Sequence, residues 1–435
     1  MSHHDRTGLP VTAASEAAVT AWDAFMDDYA AFRPSVPDRL RALLEADGAM
    51  PLALSVRAAL LMLSGKADLA GHARGSAAAA VEAAAGATRR EQLHAGAVAA
   101  WADGDVAGAT ARWELILALE PRDLLALKLA QFSHFYAGDT EAMRRSVDGV
   151  ADAWDAGVPR YGRYLGVRAF SLEEDGAIEA AEAAGREAVE RGADDAWAIH
   201  AVAHCLETRG APDEGRDWID ACAAGWADAG TMDGHLRWHR ALFELEIDGA
   251  GAVLERFDET IRIPDSEEYL DLCNDVAMLQ RLELRGVDVG DRWTRIADAV
   301  ELRAGDRLLA FCDAHWALGL AAAGRFEAAG SLLEAMRAAS RAPRSDADAY
   351  RSGAVPLAEG LVAFRRGDAP AAFAGLWAAR DHWHLLGGSR AQRDLFHQLL
   401  CAAALRAGED AVAGRLLRER TATRPHERPW LAAAA

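Results

Sequence analysis

The chain of 435 residues lacks a long apolar run, a strong basic character and a dense set of cysteines. Its apolar segment 52–63 is interrupted by Arg57, so we expect no membrane-spanning helix. The N-terminus shows no basic region followed by an apolar core, so we expect no secretory signal. The formal net charge of −20 argues against nucleic acid or an anionic membrane as the main partner.

Cysteine is scarce, and its pattern excludes two common uses. The five residues are odd in number, widely separated and surrounded by small apolar side chains: Cys205, Cys222, Cys273, Cys312 and Cys401. Such cysteines predict buried thiols in a reducing compartment, not a disulfide framework or a zinc knuckle. We therefore expect a cytoplasmic protein.

Strand signals are also missing, whereas glycine turns recur between helical patterns. Alternating runs of β-branched or aromatic residues bounded by hairpin turns are absent, and Ala and Leu dominate the apolar residues. The turn glycines are spaced by 34 to 43 residues: Gly65, Gly104, Gly138, Gly176, Gly210, Gly249, Gly286, Gly324, Gly367 and Gly408. Apolar residues follow the i, i+3, i+4, i+7 spacing of a helix on both sides of these turns.

This period is typical of tetratricopeptide repeats, in which a glycine separates helix A from helix B of each hairpin. The predicted fold class is all-α, an α-solenoid or superhelix of about ten tetratricopeptide-like helix-turn-helix repeats. We expect a flexible N-terminus at 1–17, one continuous solenoid domain at 18–425 and a C-terminal tail at 426–435. In such arrays the A helices generally line the concave surface.

Histidines concentrate on the predicted A helices. Eight of the fourteen lie there: His94, His134, His200, His204, His235, His239, His315 and His397. Counting back from the turn glycine, His94, His200 and His239 are each ten residues away. Equivalent positions of stacked repeats point into the same groove, so this register predicts a polar pocket.

The segment 195–239 has the highest density of these side chains. Trp197, His200, His204 and Glu207 have helical spacing along one predicted helix, and the next A helix repeats the pattern. The complete predicted ligand-binding set is His94, His134, Trp197, His200, His204, Glu207, His235, Trp238, His239, Asp271, Asp275, Asp313, His315, Gln392, Arg393 and Asp394.

Three interpretations of this set stay open. His200, His204, His235 and His239 could hold a divalent metal, although Ala201 stands where the zincin pattern has glutamate. The histidines and carboxylates could instead bind a small polar molecule or transfer protons on it, with His200, His204, His239 and Glu207 as catalytic candidates. The third interpretation is that they tie helices together as hydrogen-bonded core residues.

A second unusual segment is "GGSRAQRD", which ends one helix and begins another. Ser389 has the character of an N-cap, and Gln392, Arg393 and Asp394 follow within about the first turn. The N–H groups of a helix N-terminus favour an anion or a carboxylate. Ordinary capping chemistry explains the same residues.

Four segments of the chain resemble the tetratricopeptide repeat protein 38 family: "RDLLALKLAQFSHFYAGD", "DAWAIHAVAHCLETRGAPDEGRDWI", "HLRWHRALFELE" and "GGSRAQRDLFHQLLCAAALRAGE". The resemblance covers about residues 90–425 and implies an α-solenoid, but no shared reaction. Arg390 stands where the family pattern has His after "GGS". The positions that match the pattern are Asp123, His134, Asp195, Trp197, His200, His204, Glu207, His239, Gln392, Arg393 and Asp394.

The leading functional hypothesis is a repeat protein that binds a small molecule or a short peptide in a polar, His-rich concave pocket. The alternatives are an enzyme built on the solenoid, either metal-dependent or using His and carboxylate groups as acid and base, and a protein-interaction scaffold. The sequence leaves the ligand, the reaction and the oligomeric state open.

Overall fold

In a computed structural model of the chain, residues 2–424 are described, and they are helical almost throughout. The helices up to the middle of the chain are α1 (Glu16–Ala30), α2 (Val36–Ala46), α3 (Pro51–Leu63), α4 (Ala70–Ala83), α5 (Arg89–Ala102), α6 (Val106–Leu119), α7 (Leu124–Ala137), α8 (Thr140–Gly149), α9 (Tyr161–Glu174), α10 (Ile178–Arg191), α11 (Ala196–Thr208) and α12 (Pro212–Ala221).

The later helices include one of a single turn, α13. They are α13 (Ala223–Trp226), α14 (Thr231–Ile247), α15 (Ala250–Arg256), α16 (Tyr269–Leu284), α17 (Arg292–Arg303), α18 (Ala310–Ala322), α19 (Phe326–Ala339), α20 (Val355–Arg366), α21 (Ala369–Ala379), α22 (Arg390–Arg406) and α23 (Asp410–Thr423). Short 3₁₀ or π segments lie at Ala67–Leu69, Ala84–Gly86, Ala151–Ala153, Phe257–Ile261, Ala349–Ala354 and Trp383–Leu386.

The predicted hairpins are present at all ten turn glycines. Each of these glycines joins two helices and has a positive φ, from 65° at Gly65 to 89° at Gly176. A side chain with a Cβ is strained in this left-handed region, which explains why glycine recurs at the turn. The all-α helical-repeat fold class predicted from the spacing is confirmed.

The chain divides into two compact units. Unit 1 comprises Met1–Phe135, Asp139–Val202 and Cys222–Asp233, and unit 2 comprises Tyr136–Gly138, Ala203–Ala221 and Gly234–Ala435. Successive helices pack as hairpins in both, for example α5 with α6 and α9 with α10 in unit 1, and α20 with α21 in unit 2. The single continuous domain at 18–425 stays a prediction, and the predicted tail at 426–435 lies outside the described residues.

Small and apolar side chains let the helices of unit 2 pack closely. Residues 310–321 of α18 are buried on every face, because neighbouring helices cover them all round. Trp316 is 1% exposed, and Phe396 and Leu400 on α22 are fully buried in the same apolar core. Such a helix needs apolar residues at nearly every position, as the segment from Ala314 to Ala321 has.

The N-terminus differs from the expectation of a flexible segment at 1–17. Strands β1 (Ser2–His4) and β2 (Pro10–Thr12) form an antiparallel hairpin, and α1 already begins at Glu16. The Asp5 carboxylate accepts hydrogen bonds from the Thr7 and Leu9 amides, which closes the turn. The Thr12 amide and hydroxyl donate to the Glu91 carboxylate at 2.8 and 2.7 Å, which fixes the second strand to unit 1.

Within residues 2–424 no disulfide joins the five cysteines; four are buried, as predicted, whereas Cys222 is half-buried. Across residues 2–424 we find no helix with the length and apolar character that crossing a membrane requires.

Two glycines allow the closest helix approach in the hairpin of α20 and α21. A Cβ placed on Gly375 would lie 2.7 Å from the Gly360 Cα and 2.8 Å from the Pro356 carbonyl oxygen. Both neighbours are backbone atoms, so they cannot move away as the end of a side chain can. By contrast, nothing lies within 4 Å of a Cβ placed on Gly330 in α19.

We expect Gly375→Ala to lower the free energy of unfolding by about 1–3 kcal/mol, because the methyl group would force the two helices apart. Gly330→Ala serves as the matched control and should raise it by about 0.5–1 kcal/mol, since alanine restricts the unfolded chain. Guanidinium unfolding followed by far-UV circular dichroism measures both. Equal effects of the two substitutions would contradict the close packing.

Candidate functional site

Three of the predicted imidazoles meet in unit 2, and we call His204, His235 and His239 the imidazole cluster. His204 lies on α11, and the other two lie one turn apart on α14. The ring centroids of His204 and His239 are 4.5 Å apart, and those of His235 and His239 are 4.7 Å apart. One ring nitrogen of each lies within 4.8 Å of the others. The structure thus brings together three of the imidazoles that the sequence places on two consecutive predicted A helices.

Burial favours the uncharged form of His235 in this cluster. His204, His235 and His239 are 1%, 4% and 0% exposed. Burial lowers the pKa of His235 well below its usual range, and the neighbouring His239 and His204 lower it further. Neutral imidazole is both a hydrogen-bonding group and the form that ligates metals.

Asn274 on α16 fixes the orientation of His235. Its Nδ2 lies 3.1 Å from His235 Nδ1, while its Oδ1 contacts no donor among the described residues. A half-turn of the Asn274 amide exchanges its oxygen and nitrogen and places Oδ1 beside His235 Nδ1. Oδ1 would then accept from Nδ1–H, which makes Nε2 the unprotonated nitrogen of a neutral His235, the form that ligates a metal.

Glu207 connects the imidazole cluster with a cavity. Its Oε2 lies 3.5 Å from His239 Nδ1, and its Oε1 accepts from Arg424 at 3.2 Å. Burial would raise the pKa of Glu207, but the hydrogen bond with His239 and the charge of Arg424 lower it to about 2. Glu207 is therefore a carboxylate at neutral pH.

The cavity has a volume of about 60 Å³ and lies within unit 2. Its lining joins the turn after α11 with α14, α16, α22 and α23: Glu207, Gly210, Ala211, Pro212, Leu242, Phe243, Leu245, Glu246, Arg281, Arg285, Asp394, Gln398, Arg420 and Arg424. A space of this size holds a few water molecules or a small ion, and its walls combine apolar side chains with several polar groups.

Ion pairs neutralise most of the charge in this lining. Arg285 Nη2 lies 2.7 Å from Glu246 Oε1, and Arg420 Nη2 lies 3.0 Å from Asp394 Oδ2. Arg424 pairs with Glu207, as described above. Four guanidinium groups and three carboxylates thus line the cavity, and three pairs leave one arginine over.

That arginine is Arg281 on α16. It is 2% exposed and donates to the carbonyl oxygens of Ala391 at 2.9 Å and Ala277 at 3.3 Å. Its guanidinium carbon also lies 5.5 Å from the centroid of the Trp238 ring. Among the described residues, no carboxylate is within ion-pair distance of Arg281. Burial lowers its pKa to about 10, so it keeps its charge at neutral pH.

Two other predicted ligands, His200 and Trp197, belong to unit 1. His200 is one turn before His204 on α11, and its ring lies 5.1 Å from that of Trp197 and 5.4 Å from that of Phe170. Trp197 also contacts Phe32 and Phe132. The sequence pattern did not anticipate that the two would sit among aromatic rings.

The remaining predicted ligands of unit 1 hold helices together. His94 Nε2 lies 2.9 Å from Asp123 Oδ2, and Arg90 donates to the same oxygen at 2.5 Å. Burial would raise the pKa of Asp123, but Arg90 and His94 keep it well below its usual range. His134 Nε2 lies 2.9 Å from Glu114 Oε1.

The predicted carboxylates of α16 and α18 lie in separate surroundings. Asp271 accepts from the Ser266 hydroxyl at 2.6 Å, and Asp275 Oδ2 lies 3.4 Å from Arg262 Nε. Asp313 accepts from the Tyr350 hydroxyl at 2.7 Å and from Arg307 at 3.2 Å. Burial raises the pKa of Asp275 well above its usual range and that of Asp313 to about 6.

In the "GGSRAQRD" segment, the capping interpretation accounts for two of the three predicted ligands, Gln392 and Arg393. Ser389 caps α22 in a capping box, with Gln392 Oε1 accepting from the Ser389 amide at 2.9 Å. Arg393 donates to the Gly388 carbonyl. Asp394 alone lies on the cavity wall, where it also accepts from Gln398 at 2.7 Å.

The cavity arginines and Asn274 were not among the predicted site residues. Arg281 stands in "AMLQRLEL", a segment with otherwise helical apolar spacing, where a charged residue is usually taken for one that reaches solvent. The sequence did contain a signal that Arg281 is buried, because four apolar residues lie within one helix turn of it on either side. Its burial depends on α22, which is 110 residues away along the chain.

Comparisons with known proteins add little beyond this geometry. No protein-family model matches the chain. A solved structure of Naa15/Naa10 bound to HypK-THB is similar at 12% identity and a TM-score of 0.27, over 94% of this chain and 64% of that one. The tetratricopeptide domain of P58(IPK) is similar at 12% identity and a TM-score of 0.20, over 81% of this chain and 94% of that one. The chain thus spans about two thirds of the first of these proteins, and neither likeness carries an argument about function.

His315 on α18 is a predicted site residue whose burial can be tested through the pH dependence of stability. Its Nδ1–H donates to the Phe311 carbonyl at 2.9 Å, and its ring packs against Phe311 and Phe396. Burial lowers its pKa from 6.5 to about 4, and the charge of Arg281 acts in the same direction, while the hydrogen bond opposes both.

Between pH 6.5 and 4, the unfolded chain gains a proton at His315 that the folded chain does not, so stability falls as the pH falls. The contribution to the slope is at most about 1.4 kcal/mol per pH unit. We expect His315→Gln to flatten the pH dependence of the unfolding free energy in this range. His382→Gln, at an exposed position in the same unit, should leave it unchanged. Parallel slopes for wild type and His315→Gln would contradict the assignment.

Proposed function

We propose that the protein binds a small anionic molecule, carrying a carboxylate or a phosphate, in the cavity of unit 2. The single observation that carries this proposal is Arg281, a buried guanidinium without a carboxylate partner among the described residues, on the wall of that cavity. Asp394 and Glu207 attract this charge only from beyond ion-pair distance, and an anionic ligand would offset more of the cost of burying it. The neighbouring arginines, already paired, supply further N–H donors.

The lining also contains groups that would recognise the rest of the ligand. Leu242, Phe243 and Leu245 form an apolar wall, and the Gln398 amide offers a neutral polar contact. Glu207 leads from the cavity to His239, so the imidazole cluster could hydrogen-bond to a ligand or exchange protons with Glu207. This supports ligand binding at a polar, His-containing site over a purely structural role for the histidines.

We expect inorganic phosphate or succinate to raise the melting temperature of the full chain and to bind measurably by calorimetry. Arg281→Met should weaken that binding by about tenfold to a hundredfold, because hydrogen bonds from a charged donor contribute about 1.5–3 kcal/mol. Arg337→Met is the matched control, since Arg337 pairs with Glu359 away from the cavity. It should bind the two anions as the wild type does.

The proposal is contradicted if neither anion raises the melting temperature of the wild-type protein or binds to it in calorimetry. Equal affinity of wild type and Arg281→Met would also contradict it, because the anion would then bind elsewhere. Choline, a cation of comparable size, should not bind in either variant.

A second candidate function is binding of a transition metal by the imidazole cluster. It is favoured by the ring nitrogens of His204, His235 and His239, which lie within 4.8 Å of one another. Three protein ligands leave one position of a tetrahedral metal for water or for a substrate, as in catalytic zinc sites. A metal with such an open position could catalyse a reaction. This candidate therefore corresponds to the metal-dependent enzyme that the sequence left open as an alternative.

We expect protein purified without chelator to bind zinc, and His239→Ala to lose the metal and its thermal stabilisation. His382→Ala removes an exposed imidazole in the same unit and serves as the control. Elemental analysis that finds less than about 0.1 equivalent of any transition metal, with no thermal shift on adding zinc, would exclude such a site.

Membership of the tetratricopeptide repeat protein 38 family and a cytoplasmic location remain parts of this proposal. The first is supported by the four sequence segments quoted above, and the second by five free cysteines.

A further inference from the structure

Unit 1 contains a buried lysine that the sequence analysis did not single out. Lys128 on α7 is 2% exposed. Its Nζ lies 4.5 Å from the centroid of the Phe32 ring, 5.5 Å from that of Trp197 and 5.7 Å from those of Tyr29 and Phe132. Four aromatic rings from α1, the loop after it, α7 and α11 thus surround one amine.

This amine has no conventional partner. Among the described residues, no hydrogen bond or ion pair reaches Lys128 Nζ. Asp195 attracts the ammonium electrostatically, but its Oδ1 accepts from the Ala198 amide and its Oδ2 lies 3.3 Å from Arg163. Cation–π contacts with the rings offset part of the cost of burying the charge. Burial lowers the pKa of Lys128 to about 8, while Asp195 opposes and Arg163 adds to that change.

Two other polar atoms of the surrounding rings lack hydrogen-bond partners. The Tyr29 hydroxyl and the Trp197 Nε1 are buried and contact no acceptor among the described residues. The surroundings of Lys128 therefore contain an unpaired hydroxyl, an unpaired indole N–H and an unpaired amine. Buried polar groups are rarely left without partners, and a small polar molecule beside these three would provide one.

The composition of the chain also bears on the role of Lys128. Of its 47 basic side chains, Lys66 and Lys128 are the only lysines, and the rest are arginines. Arginine holds its proton at all physiological pH values and would serve as well in a purely structural cation–π contact. A lysine differs from it in being able to lose the proton and act as a nucleophile.

We propose that Lys128 is a reactive amine that forms an imine with a small aldehyde or ketone bearing an apolar or aromatic substituent. The four rings provide the apolar walls, and the half-buried Phe32 and Phe132 form the outer side, through which the carbonyl compound enters. The unpaired Tyr29 hydroxyl and Trp197 N–H are donors for the carbonyl oxygen. This site is independent of the cavity proposed for unit 2.

The reaction balances without an oxidant or a reductant. The neutral amine forms a C–N bond with the carbonyl carbon, and the C=O π bond opens to give a carbinolamine. Its oxygen then leaves as water with the two hydrogens originally on the amine nitrogen, and a C=N bond remains. The proton of the ammonium form is released to solvent before the first step. Water returns the free amine by the reverse path.

The test uses the full chain, propanal as the carbonyl probe and sodium cyanoborohydride to trap any imine as a stable alkylamine. Peptide mapping by mass spectrometry then compares the labelling rates of Lys128 and Lys66, which is half-buried and serves as the internal control. At pH 7 we expect Lys128 to be labelled at least about tenfold faster, since its neutral fraction exceeds that of an ordinary lysine by on the order of a hundredfold. The advantage should disappear in guanidinium chloride.

Two variants complete the design. Lys66→Arg leaves Lys128 as the sole side-chain amine and should keep the rapid labelling in intact-mass measurements. Asp195→Asn removes the carboxylate charge that favours the ammonium form, keeps the acceptor for the Ala198 amide, and should speed labelling at pH 7. The proposal is overturned if Lys66 reacts as fast as Lys128 in the folded wild type, or if Lys128 reacts only after unfolding. Either result would show that the rings merely shield a structural cation.

Discussion

The left-handed glycine turn is the constraint on which the described structure depends. It closes each hairpin at a fixed point, so helices A and B of every repeat start and end at comparable positions. A single hairpin cannot bury its apolar face, and its stability comes from packing against the neighbouring hairpin. Where the turn position is fixed, the side chains ten residues before it have equivalent places in successive helices. His204 and His239 meet although they stand six and ten residues before their turn glycines, so the register alone does not account for the imidazole cluster.

Those parts of the structure that are determined locally could be predicted from the sequence. A positive φ favours glycine whatever surrounds it, and helical spacing of apolar residues needs no knowledge of the partner helix. Both properties can be found in one segment at a time, and this explains why all ten hairpins were identified. The N-terminal hairpin was missed because its strands have only three residues each and depend on Glu91, which is distant in sequence.

The candidate sites could be predicted only in part, because burial of a charge is a tertiary property. A register common to the A helices indicated His239, but the same reasoning grouped it with Asp313 and His315, which the structure places in other surroundings. Arg281 and Lys128 each stand in an apolar helical segment, where the usual expectation is a side chain that reaches solvent. Distant helices cover both, and no local pattern carries that information.

The two buried cations resolve the same physical problem in different ways. A charge in an apolar interior must be paired, solvated by polar groups or removed. Arg281 cannot lose its proton at neutral pH, so two carbonyl oxygens and the Trp238 ring hold it and an unbalanced positive charge remains beside a cavity. Lys128 can lose its proton, and burial lowers its pKa to about 8 although Asp195 opposes the change, so a part of the amine is neutral near physiological pH. The identity of the side chain therefore determines the chemistry at each site. A permanent cation attracts an anion, whereas an amine that loses its proton becomes a nucleophile.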